Sequence, residues 1–361
     1  VPAAVAAAVA ATSAVVSVSA HADDHPALAP RTAGELLAAI AKATPPAGIS
    51  GTIDETVDLG LPALPAMDTS GAGTLSLQSL VTGTHSFRVW ESGPSLQRVA
   101  LLGQLAETEV VHNGTNVWTY ASSLHAVTHA TVPAAAPDAR KSAPVTPEGQ
   151  RTPEEMAAAA LSAIDPTTAV TVDSTARVAG QPAYRLVLTP RDDRTLIGSV
   201  RIAIDAATDV PLQVQVYARG HDTAAIDVAF KTVSYDPIDP SVFAFTPPPG
   251  ATVTERPTGG GTDSAAKPDS STPTPTVLGS GWTAVASLSL PADLGTPTSP
   301  RERGSTPSMT QLLDQLATPV PGGRLLTTSL LSVLVTDDGH VYAGAVRPAD
   351  LQTVAASGRG L

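Results

Sequence analysis

Residues 200–231 read VRIAIDAATDVPLQVQVYARGHDTAAIDVAFK, and their period decides the fold. Side chains of an extended strand alternate between two faces, whereas a helix returns to the same face every three to four residues. Here Val200, Ile202 and Ile204 alternate with Arg201 and Asp205, and Leu212, Val214 and Val216 with Gln213 and Gln215. Ile226, Val228 and Phe230 then alternate with Asp227 and Lys231. Three successive strands of this kind predict an antiparallel sheet with one aliphatic and one polar face.

The same period runs outward in both directions. Downstream of Ala169 it reaches Tyr235 and takes in the strand carrying Leu186 and Leu188. Upstream, residues 49–132 break into GISGTIDETVDL, GTLSLQSLV, HSFRVWES, SLQRVALL, ETEVVH, TNVWTYAS and LHAVTHATV, separated by Gly, Pro and Asn. Phe87 and Val89 share one face of their strand, opposite Arg88 and Trp90. His112-Asn113-Gly114-Thr115 is the sharpest joint, because Asn and Gly tolerate the positive φ angles of a type I′ hairpin.

Two helices interrupt the strands. Thr32 with Glu35 and Thr152 with Glu155 each have capping-box spacing, and Pro153 suits a first helical position. Ala33, Leu36, Leu37 and Ile40 make one inward stripe; Ala157, Leu161 and Ile164 make the other. Two short helices cannot cover the aliphatic faces of about nine or ten strands, which predicts an uncovered apolar surface.

Composition narrows the function. A formal charge of −12 excludes a nucleic-acid binder, since phosphate neutralisation needs clustered Lys and Arg. Zero Cys excludes disulfides, thiolate catalysis and an acylated N-terminal Cys. The chain opens with an uncharged Ala/Val-rich run that ends at Ala20-His21-Ala22 before Asp23 and Asp24. This pattern predicts a signal peptide over residues 1–22 and an exported protein, the alternative being an uncleaved membrane anchor.

No catalytic constellation emerges. His125 and His129 fall in a strand-like segment, where four residues span roughly 13 Å, so they read as an exposed pair rather than a zinc site. Ser264-Ala265-Ala266-Lys267 lies in a Gly/Pro/Ser/Thr-rich stretch without partner motifs, and Asp337-Asp338-Gly339 reads as a hairpin turn. No cofactor and no metal is expected, and no enzyme.

Four segments, taken in order, resemble the bacterial LolA/LolB and RseB/MucB superfamily over residues 31–254. HNGTNVWTY is similar to its D/N-G-x-x-x-W-x-Y hairpin and VAGQPAYRLVLTPRD to its G-x-x-A-Y-x-L-x-L-x-P strand. IAIDAATDVPLQVQVY and VFAFTPPPGATV are similar to its I-D-x-x-T-x-x-P-L strand pair and closing F-x-F-x-x-P-x-G segment. The resemblance implies a mainly β fold, a curved antiparallel half-barrel plugged by short helices, whose groove holds acyl chains or receives lipoproteins. The groove candidates are Phe87, Val89, Trp118, Tyr120, Leu186, Leu188, Ile202, Ile204, Val214, Val216, Val228 and Phe230. Arg98 takes the position where LolA-like carriers place an Arg that bonds to the helical lid.

Residues 255–278 predict a disordered linker, and 279–361 a small α+β module with a helix on Met309, Leu312, Leu313 and Leu316. LolA carriers have a single domain, so the second module is closer to RseB. The expected role is a non-catalytic carrier of lipid or acylated lipoprotein. The alternative is an envelope sensor that regulates an anti-sigma factor by gripping a membrane-anchored protein partner.

Overall fold

The structure, a computed structural model, describes residues 26–44, 46–61, 82–102, 107–132, 151–256, 275–289 and 316–361. Two meanders build the main sheet. The first runs through β1 (Ile49–Asp58), β2 (Thr82–Glu91), β3 (Leu96–Leu102), β4 (Glu107–Asn113), β5 (Asn116–Ala121) and β6 (Ala126–Thr131). The second runs through β7 (Thr168–Val178), β8 (Gln181–Pro190), β9 (Ile197–Asp205), β10 (Pro211–Ala218) and β11 (Ala224–Ser234). Antiparallel pairing of β1 with β11 fuses them, and β12 (Thr252–Arg256) adds to β6 in parallel. The result is a 12-stranded sheet in the order β12-β6-β5-β4-β3-β2-β1-β11-β10-β9-β8-β7, not closed into a barrel.

Register bends the sheet. Between Thr52 and Ile53 the β1–β11 pairing shifts by a residue, and there the two backbones nearly touch. A Cβ on Gly51 would stand 2.0 Å from the Thr232 carbonyl oxygen, so only glycine fits. Helices α1 (Ala33–Lys42) and α2 (Pro153–Ser162) lie on one face, and both carry the predicted capping boxes. Met156 of α2 packs against aliphatic residues of β8–β10 and also against those of β1–β3, so the sheet curls around this helix.

A second, six-stranded sheet follows, in the order β13-β14-β18-β17-β16-β15. Its strands are β13 (Thr276–Leu278), β14 (Val285–Ser289), β15 (Thr318–Val320), β16 (Gly323–Thr327), β17 (Ser332–Thr336) and β18 (His340–Gly344). Helix α3 (Pro348–Ser357) buries Leu351 and Val354 against it. Asp338-Gly339 is the β17–β18 turn, with Gly339 at φ +84°. The two units are joined directly. Thr195 bridges Val346, the Leu196 amide donates to the Ala345 carbonyl at 2.8 Å, and the Ser329 amide donates to the Leu59 carbonyl at 2.9 Å.

Some readings of the sequence change. The 113–116 hairpin closes on an Asn113–Asn116 pair, with Gly114 and Thr115 at its tip. Only Gly114 has positive φ there, at +65°, as a type II′ turn requires, so the turn sits one residue later than the I′ register. Asn113 stays in the strand because its side-chain amide donates to the Phe243 carbonyl. Within the stretch read as a linker, Glu255 and Arg256 end β12, and Thr276–Leu278 form β13. The signal-peptide segment, the GTLSLQSLV strand, Ser264-Ala265-Ala266-Lys267 and most of the helix around Met309 lie outside the described residues.

Candidate binding cleft

The sheet's aliphatic face is built from rows of cross-strand neighbours. One row reads Leu186, Ile202, Val214, Val228, Glu55, His85, and another Leu188, Val200, Val216, Ile226, Val57. Further along the sheet come Phe230, Ile53, Phe87, Leu101, then Gly51, Val89, Val99, Val110, then Ile49, Glu91, Gln97, His112. Ten of the twelve groove candidates therefore share one face: Phe87, Val89, Leu186, Leu188, Ile202, Ile204, Val214, Val216, Val228 and Phe230.

All ten are buried, so the expected open trough is covered in this conformation. Leu36, Leu37 and Ile40 of α1, Ala157 and Leu161 of α2, and Leu28 ahead of α1 cover the β8–β10 end. Trp282 and Leu330 of the second unit complete that cover. The Trp282 indole donates to Thr168 Oγ1 at 2.8 Å. Counting only two helices left the trough unroofed; the missing roof comes from chain segments distant in sequence.

What remains between α2 and the sheet is a cavity of about 30 Å³. Ile49, Val89, Val99 and Phe230 form its apolar wall, and Thr152 and Glu154 close it from the start of α2. Glu91 and Gln97 also line it. This volume is of the size that holds a water or two. Its electrostatics are unusual. Burial pushes the Glu91 carboxyl up to about 7, the negative charges of Glu154 and Glu155 push in the same direction, and a hydrogen bond from Gln97 opposes them. Burial likewise raises Glu154, and raises Glu155 against its capping bonds to Thr152. The sequence did carry a signal for Glu91, which has the parity of Phe87 and Val89 on β2.

Trp118 and Tyr120 lie on the opposite face. The row there reads Trp90, Arg98, Val111, Trp118, His129, Glu255. Trp118 stacks on His129 with ring centroids 3.8 Å apart, and Phe245 packs 5.5 Å from Trp118 and 6.4 Å from Tyr120. These aromatics hold down the segment that follows β11 and do not floor the groove. His129 also contacts Glu255 and Asn116, at 2.7 and 2.9 Å, while His125 bonds the Pro249 carbonyl, so the two histidines serve separate local contacts.

Arg98 belongs to this outer face as well. Its Nε donates to Glu109, and its Nη1 donates to the Val242 carbonyl at 2.7 Å. The lid that the resemblance assigned to it is on the other side of the sheet. Arg98 fastens the 3-10 turn Pro240–Phe243 instead, and Phe243 is buried there.

No protein-family profile and no curated protein matches the sequence. Among solved structures, the MucA/MucB complex of Pseudomonas aeruginosa is similar at 16% identity and a TM-score of 0.41, covering 90% of this chain and 96% of that one. An uncharacterized conserved protein from Thermus thermophilus is similar at 13% identity and a TM-score of 0.33, covering 62% and 99%. A LolA superfamily protein from Nitrosomonas europaea is similar at 10% identity and a TM-score of 0.22, covering 60% and 99%. All three TM-scores lie below 0.5, so each is a likeness and nothing more; the chain's own plan is a large open antiparallel sheet with few helices among the described residues.

Proposed function

We propose that this chain is an extracytoplasmic binding protein that accommodates an acyl chain, free or on a lipoprotein, between α2 and the aliphatic face of its main sheet, without covalent chemistry. One observation carries the reading. Helix α2, which packs against both ends of the curled sheet, leaves a cleft at its N-terminal end, and that cleft opens onto an apolar wall of Ile49, Val89, Val99 and Phe230. A cavity of about 30 Å³ holds no hydrocarbon tail, so binding requires α2 to move outward.

Each buried methylene contributes about 0.8 kcal/mol, so affinity for saturated fatty acids should rise about tenfold for every two carbons added. Fluorescent fatty-acid binding measures this, together with mass spectrometry of lipid extracted from protein purified from its host. Val99→Phe, which fills the cleft, should abolish binding without lowering thermal stability. Protein that carries no lipid and binds no fatty acid of any length ends this reading.

A second reading, capture of a membrane-anchored protein partner, is favoured by a different surface. Leu124 and Val253 are 52% and 44% exposed at one corner of the outer face, where the Thr252 amide bonds the His125 carbonyl. Leu124→Asp with Val253→Asp should then abolish partner capture while fatty-acid binding persists. Capture that survives both changes removes this surface from consideration.

A further inference from the structure

We propose that α2 is a pH-operated cover, held on the sheet while Glu91 carries a proton and released once Glu91 and Glu154 are both ionised. The proposal rests on the reading of the cleft as the binding site and supplies its regulation.

Glu91 ends β2 on the aliphatic face and meets α2 where the helix begins. Thr152 and Pro153, which start that helix, are buried, so a charge arising on Glu91 has little water to solvate it. The groups facing Glu91 supply no positive charge. From α2 come Glu154 and Glu155, both acidic; from β3 comes Gln97, a neutral amide whose effect opposes the rise. From β1, β11 and the start of β10 come Ile49, Phe230, Val210 and Pro211, all apolar. Arg151, ahead of α2, acts on Glu55 and Glu155, and Asp209 is tied to Arg31 at 2.8 Å. His112, next in the row beyond Gln97, is buried with its Nε2 on the Gly114 carbonyl.

The direction follows from where the proton is held. In the closed state Glu91 keeps its proton up to about pH 7, whereas on a lifted helix it would ionise in the ordinary carboxylate range near 4.5. The open fraction therefore rises between about pH 4.5 and pH 7 and levels off above. Between pH 5 and pH 8 the closed-to-open ratio should fall on the order of fiftyfold.

Hydrogen exchange of the α2 amides in the full chain, corrected for intrinsic exchange rates, tests this without any ligand. Protection should fall as the pH is raised from 5 to 8. Glu91→Gln should keep α2 protected at both values. Glu154→Gln should weaken the pH dependence, and it serves as the second variant if Glu91→Gln does not fold. Equal α2 protection at both pH values in the wild type, or an unchanged pH dependence in a folded Glu91→Gln or Glu154→Gln protein, overturns the proposal. Helix release without any fatty-acid binding would leave the switch standing and reject the lipid reading alone.

Discussion

Glu109 is buried on the outer face, and Arg98 is the cation that makes its burial tolerable. Arg98→Met keeps the aliphatic stem but removes both donors, leaving Glu109 and the Val242 carbonyl without them. Such bonds to charged groups are worth about 2 kcal/mol, so the free energy of unfolding from denaturant titration should fall by that amount and amides of 240–256 should exchange faster. Fatty-acid binding should be unaffected, because the contact lies across the sheet from the cleft. Unchanged stability would contradict this assignment. At this scale the sequence is readable within one strand and unreadable between strands. Parity placed Phe87, Val89 and Glu91 together, and it separates Trp118 and Tyr120 from Val117 and Thr119. Which of those two sets shares a face with Val89 depends on the register of three intervening pairings, and Trp118 and Tyr120 turned out to belong with Arg98.

Among the elements, the helices with paired caps were legible because Thr32–Glu35 and Thr152–Glu155 each satisfy backbone donors that nothing else would. Helix α3 was missed although Pro348 stands at its start, Asp350 in its first turn and Gly358 after its end at φ +65°. Its apolar stripe is only Leu351 and Val354, too short to show a period. Trp282 belongs by sequence to the 279–361 module, yet it is a plug in the first unit's core. Trp282→Ala removes a large buried side chain and its bond to Thr168 Oγ1, which should cost about 3–5 kcal/mol. Thermal denaturation should show the main sheet melting earlier, with β7–β9 amides losing protection first. A variant that destabilises only 275–361 would show that the units are energetically separate.

Across the whole molecule, carboxyl burial sets the response to acid. Glu55, Glu91, Glu109, Glu154 and Glu155 are all raised, with burial the largest cause in each. Raised folded-state values mean that the native protein binds more protons than the unfolded chain, so this contribution is full below the ordinary carboxylate range and is lost as pH rises, for Glu91 through about 7. Asp192 opposes this, as do the lowered Glu35, Asp165, Asp239 and Asp338: the bonds from Arg194 hold Asp192 down to about 2, and its contribution is lost as pH falls from about 4 toward 2. Melting temperatures recorded from pH 2 to 9 should therefore peak near pH 4 to 5, with Glu91→Gln flattening the alkaline limb by up to about 3 kcal/mol. A maximum at neutral pH would contradict the raised Glu91. It also follows that the second unit is no detachable appendage. Deleting 279–361 removes Trp282 and Leu330 from the first unit's core, so loss of partner capture in such a truncation cannot be separated from unfolding.

The seam between β1 and β11 bears on how the chain reaches this state. Thr52 donates its amide to the Thr232 hydroxyl, 180 residues further along the chain. Pairing at such separation carries a large loop-closure entropy and slows folding. A polypeptide emerging from its N-terminus would have β1 in hand early, with one edge bare until about half of the chain had followed. Refolding from denaturant should accordingly be slow, with β1 acquiring protection late, and that delay leaves its bare edge open to wrong partners in the meantime.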